Sequence, residues 1–207
     1  YSMILTGINK EELSSYVPLF DFDNTIINEI DYIFPIFKET LNQLDLNNLS
    51  KQDLIDNFVA NYQINGSEKI IDKLEISEEN KIKILDKYIF NLRKERMLKD
   101  KLECNATFIN YVNSEYFSST IVHIITNGNE KQQKNKFKNT DFNKIDREIN
   151  FICANEFAPK PEIKSFIDNF TYQKNYLFIG DSEVDIEYAE NIGIYFMHIN
   201  ELRKIFL

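Results

Sequence analysis

Short apolar runs alternate with polar words along this chain. The words are Asp21-Phe22-Asp23-Asn24-Thr25, Thr126-Asn127-Gly128, Lys160-Pro161 and Gly180-Asp181-Ser182-Glu183-Val184-Asp185. Each follows a run that reads as a buried strand, and strands buried on both faces belong to parallel sheets covered by helices. Parallel strands end at one sheet edge, where open α/β folds keep their ligands, so the words are predicted to converge there.

Between the first and second words the period changes. Ile30, Ile33, Phe34, Phe37, Leu41 and Leu44 recur at three- and four-residue steps, a helical face on which Pro35 is acceptable near the first turns. Leu54, Ile55, Phe58, Val59 and Tyr62 repeat the pattern, and Ile82, Leu85, Tyr88, Ile89 and Leu92 do so again behind a predicted cap at Ser77. Residues 28–102 therefore read as an all-helical insert, with 1–27 and 103–207 as the core. Within the core, strands are predicted over 16–22, 119–125, 149–153, 176–179 and 194–199. Helices are predicted over 130–139, 161–170 and 183–191, with Gly193 as a stop. The fold class is α/β, a doubly wound parallel sheet interrupted after its first strand by a helical domain.

A chain of 207 residues can bury a full core. Its 24 basic and 33 acidic residues give a net charge of −9, which argues against nucleic acid or an anionic membrane as partner. Cys104 and Cys153 are too few for a disulfide framework and read as free thiols in a reducing compartment. No apolar stretch is long enough to span a bilayer, and no basic segment leads into an apolar one at the amino terminus. The expectation is a soluble cytoplasmic protein.

Asp21 and Asp23 at a strand tip would point to opposite faces unless the strand opens into a loop, where both can reach one ligand. A carboxylate can attack phosphorus and split one difficult hydrolysis into two easier steps. A plain acidic turn would use the same residues. Asp181 sits at a second tip, with Asp185 one helical turn on. Asp21, Asp23, Asp181 and Asp185 clustered without a cation would repel one another, and hard oxygen ligands suit Mg²⁺. Thr126 offers a hydroxyl and Asn127 a backbone N–H to a phosphoryl oxygen, with Gly128 letting the backbone come close. Lys160, before the proline that opens the next helix, could supply the fixed positive charge that phosphoryl transfer needs.

With these motifs in family order over about Val17 to Ile199, the chain resembles the haloacid dehalogenase (HAD) superfamily, in its phosphatase form with a helical C1 cap inserted after the first motif. The resemblance implies a Rossmann-like core and residues 28–102 as the cap. It implies Asp21 as nucleophile and Asp23 as general acid and base. Mg²⁺ would be held by the Asp21 carboxylate, the Asp23 backbone carbonyl and Asp181, with Asp185 supporting its water shell. Thr126 and Asn127 would hold the transferring phosphoryl group, and Lys160 would bridge nucleophile and phosphate. Asn24 replaces the glycine often found after the second Asp. Asp23 itself sets the chain apart from dehalogenase and phosphonatase branches, which lack that acid.

The implied activity is Mg²⁺-dependent hydrolysis of a small phosphorylated metabolite such as a sugar phosphate or nucleotide. A phosphosugar mutase shares every motif, and a non-catalytic phosphate-sensing or partner-binding protein of the same fold is the reading from another class. Arg93, Lys94 and Arg96 read as a solvated charge run, and His123 and His198 as core or edge residues. Gln132 and Gln133 after the Asn127-Gly128 turn are faintly similar to nucleotidase-like members. The sequence does not indicate an oligomeric state.

Overall fold

A computed structural model describes residues 3–207 of the chain. Asn9 caps α1 (Lys10–Leu13) in a reciprocal box with Glu12, and β1 (Val17–Phe20) follows. Next come α2 (Glu29–Gln43), α3 (Lys51–Asn65) and α4 (Glu78–Arg93), and then β2 (Leu102–Glu103) and α5 (Ala106–Val112). The alternation resumes with β3 (Ile121–Thr126), α6 (Glu130–Lys138), β4 (Thr140–Asp141), β5 (Glu148–Cys153) and α7 (Lys164–Ile167). It closes with β6 (Tyr176–Gly180), α8 (Glu183–Ile192), β7 (Tyr195–His198) and α9 (Ile199–Phe206).

The main sheet has the order β5-β3-β1-β6-β7, and all its pairings are parallel. The chain steps outward from β1 through β3 to β5, then returns to the other side of β1 for β6 and β7. Where the direction reverses, the carboxyl end of β1 lies between strands leading to opposite edges, the position at which open α/β sheets bind ligands. Leu19, Phe20, Val122, Ile124, Ile125, Leu177, Phe178 and Ile179 are fully buried, which is why these strands read as continuous apolar runs.

The chain divides into two compact units, one formed by the chain up to Asn28 with Met97–Leu207, the other by Glu29–Arg96. The helical unit is built on aromatic contacts: Phe37 stacks on Phe58 with centroids 4.1 Å apart, and Tyr88 meets both rings edge-on. Each such buried ring is worth about 1.5–3 kcal/mol. Ser77 caps α4, its hydroxyl accepting from the Asn80 N–H. Residues past Arg96 bond within the sheet-bearing unit, the N–H groups of Leu98 and Leu102 donating to the side chain and carbonyl of Asn139.

Several elements differ from expectation. Pro35 lies in the second turn of α2, near its start as expected but past the turn whose N–H groups are free; burial of Tyr32, Ile33, Ile36 and Phe37 around it outweighs the missing N–H. The expected helix over 161–170 shrinks to α7, whose Ile163 N-cap has no side chain to accept from the first turn. The expected last strand stops at His198, whose side chain caps α9. Arg96 is not a solvated charge: it donates to Glu39 at 2.5 Å and to the Asn91 carbonyl at 2.8 Å. No helix among the described residues is long and apolar enough to cross a membrane.

Candidate active site

The polypeptide leaves β1 in a tight loop. The Phe22 carbonyl accepts from the N–H groups of Thr25, Ile26 and Ile27, and Asn24 adopts a left-handed φ of 59°. Asn tolerates that conformation better than most residues, so it can stand where glycine would. The loop carries Asp21 and Asp23 past the strand end. The Asp21 N–H is still tied to the Ile179 carbonyl of β6, at 2.9 Å.

Lys160 is the hub. Its Nζ, at a residue only 5% exposed, donates to Asp21 Oδ1 at 2.8 Å and to Asp185 Oδ1 at 2.6 Å. The Asn127 side chain clasps the Lys160 backbone from both sides. Its Oδ1 accepts from the Lys160 N–H at 2.7 Å and its Nδ2 donates to the Lys160 carbonyl at 2.9 Å. The Lys160-Pro161 bond is cis. Asp185 is equally committed: Oδ2 accepts from the N–H groups of Asp181 and Ser182 and from the Ser182 hydroxyl. Gly180 is glycine for a steric reason, because a Cβ there would lie 2.4 Å from Asp185 Oδ2.

Carboxylate oxygens of Asp21, Asp181 and Asp185 lie within 4.8 Å of one another. Three carboxylates face one ammonium here, so the cluster is short of positive charge. Burial, reinforced by Asp185, pushes the Asp21 carboxyl well above the usual range, against the pull of Lys160. Burial and then Asp185 push Asp181 up to about 6. Burial opposes the charge on Lys160, yet Asp21 and Asp185 outweigh it and raise its pKa, so the ammonium stays charged. Among the described residues no donor reaches the Asp181 carboxylate. A set of oxygen donors with excess negative charge and an unpartnered carboxylate fits a hard divalent cation.

The same imbalance predicts a stability effect. A carboxyl whose folded pKa is raised from 3.8 to about 6 binds its proton more tightly folded than unfolded, so stability present at low pH is lost as pH rises through about 6. The full shift is worth roughly 3 kcal/mol, and solvent screening of this partly buried group leaves about 1–2 kcal/mol. Asp181→Asn is therefore expected to stabilise the metal-free protein by about that amount at pH 7.5 and by little near pH 4. Urea unfolding in EDTA at the two pH values measures it; equal effects at both would contradict the charge imbalance.

Asp23 lies outside this cluster's hydrogen bonds. Lys136 of α6 donates to both its oxygens, at 2.8 and 2.9 Å, and Gln133 donates to Oδ2 at 2.9 Å. The Gln133 amide also reaches Thr126 Oγ1 at 3.1 Å and the Asn127 carbonyl. Thr126 is buried at the end of β3. The residues singled out from sequence thus gather at the carboxyl ends of β1, β3 and β6 and in the loop after β5. Lys136 was absent from that set. Its signal lay in α6 itself: a helix flanking a sheet buries one face, yet Glu130–Lys138 has Phe137 as its only apolar residue. Polar residues had to occupy the rest of that face, and buried polar groups require partners. His123 and His198 take structural places, His123 bonded to Asn150 and His198 capping α9.

The haloacid dehalogenase-like hydrolase family model matches residues 18–199. No curated protein matches the sequence. Among solved structures, a hydrolase from Streptococcus pneumoniae TIGR4 superposes with a TM-score of 0.53 at 16% identity, over 92% of this chain and 97% of that one. The HAD-hydrolase YfnB from Bacillus subtilis, bound to magnesium, gives 0.56 at 14% identity, covering 92% and 96%. A protein from Haemophilus somnus 129PT, described as a predicted phosphoglycolate phosphatase, gives 0.52 at 18% identity, covering 88% and 84%. At these identities the likeness is one of fold.

Proposed function

The chain belongs to the haloacid dehalogenase-like hydrolase family, and from that premise we propose that it is a Mg²⁺-dependent phosphomonoester hydrolase working through an aspartyl-phosphate on Asp21. The observation that carries the reading is the Lys160 ammonium bonded at once to Asp21 and Asp185, with Asp181 in the same cluster. An acidic turn needs no buried lysine, whereas a nucleophile facing an anionic ester needs a fixed positive charge beside it.

Asp21 attacks phosphorus: an O–P bond forms to its carboxylate and the ester P–O bond breaks. Asp23 gives its proton to the departing alkoxide, yielding the alcohol. Asp23 then takes a proton from the water that attacks the phosphoryl group, freeing phosphate and restoring Asp21. The Thr126 hydroxyl and the Asn127 N–H orient the phosphoryl oxygens. Because the Asn127 side chain is committed to the Lys160 backbone, its main chain is what remains for the substrate. Asp21, Asp181 and the Asp23 carbonyl would hold the metal, with Asp185 behind them. Bound there, Mg²⁺ supplies positive charge against the phosphoryl oxygens. In this reading the helical unit Glu29–Arg96 is the cap, and its residues select a small phosphorylated metabolite.

The test is phosphate release from a panel of sugar phosphates, nucleoside monophosphates and small phosphorylated acids with Mg²⁺. Hydrolysis of some members and not others is the expected result. Inertness toward the whole panel and toward p-nitrophenyl phosphate would overturn the reading.

A further inference from the structure

Asp23 stands in the loop after β1, its backbone in an isolated bridge with Ile27 and its side chain 19% exposed, so the loop holds the main chain but not the carboxylate. What fixes it comes from α6. Lys136 is wholly buried, and a lysine is almost never so without a partner. Its ammonium spans both Asp23 oxygens. Gln133, one turn earlier on the same face, adds a third bond to Asp23 and joins it to Thr126 and the Asn127 carbonyl. Gly128 belongs to this arrangement, since a Cβ there would lie 2.9 Å from Gln133 Nε2.

Stability does not explain the pair. A buried ion pair is often no better than apolar residues of the same volume, and a helix against a sheet would ordinarily present such residues. Orientation does explain it. A proton donor contributes only when held within hydrogen-bond reach of the atom that receives the proton. We propose that Lys136, supported by Gln133, is a positioning residue that holds the Asp23 carboxylate where it exchanges protons with the leaving group and with the attacking water. The same amide couples that carboxylate to the Thr126-Asn127 turn, so acid and phosphoryl cradle move as one piece. The proposal rests on the role given to Asp23 above.

Lys136→Met, which keeps chain length and removes the charge, separates positioning from general damage when assayed on two esters. p-Nitrophenolate departs without a proton, so the variant should release it in a stoichiometric burst and then turn over about 10²-fold more slowly than wild type, because water activation is lost. With glycerol phosphate, whose leaving group needs the proton, the burst should vanish as well. Gln133→Met should show the same pattern at smaller amplitude, and it carries the test if Lys136→Met fails to fold. Circular dichroism of each variant should match wild type. Turnover within about threefold of wild type on both esters, or burst and steady state falling together in a folded variant, overturns the proposal alone. A wild-type protein inert toward every ester overturns the functional reading and this proposal with it.

Discussion

Asp21→Asn is expected to reduce phosphate release by ~10⁴-fold or more, the scale on which loss of a nucleophile is felt. The fold should survive. Asn fills the same space, Lys160 keeps its 2.6 Å bond to Asp185, and the repulsion between Asp21 and Asp185 is relieved. The metal-free variant should therefore be at least as stable as wild type in urea. A folded Asp21→Asn protein with more than a few per cent of wild-type turnover would remove Asp21 from the mechanism, whatever became of the other carboxylates.

Removal of metal should have the next largest effect. Asp21, Asp181 and Asp185 carry more negative charge than Lys160 balances, and a phosphate ester would add more. EDTA is expected to lower turnover by at least ~10²-fold, since charge stabilisation by a metal is worth several kcal/mol and each 1.36 kcal/mol is a factor of ten. Mg²⁺ should restore it. Ca²⁺ should restore little, because its larger and looser shell would misplace nucleophile and phosphate. Undiminished turnover in EDTA would mean that the cluster manages its charge by protonation instead.

The site was legible in sequence because each of its polar words follows an apolar run and so could be placed at a strand end. That Gly180 leaves room for the Asp185 carboxylate and that Asn24 takes a left-handed turn are visible only in the structure. The sheet was legible for a related reason: residues such as Leu19, Ile124 and Phe178 are buried on both sides and form unbroken apolar runs. Lys136 escaped notice, and Gln133 stood out only as a faint family likeness, because periodicity is counted in apolar residues and α6 hides its buried face in polar ones. α9 was missed because Ile199, Leu202 and Phe206 mark barely two turns, directly after a strand. The Asn127 clasp could not be read from sequence, since its partner is the backbone 33 residues away.

The most direct test is to quench the protein with acid during turnover of p-nitrophenyl phosphate in Mg²⁺ and search its peptides by mass spectrometry. One phosphoryl group on Asp21, present with substrate and absent without it, is the predicted result, and Asp21→Asn should carry none. Turnover that proceeds with the Asp21 peptide unmodified, or with the phosphoryl group on another residue, would contradict the account.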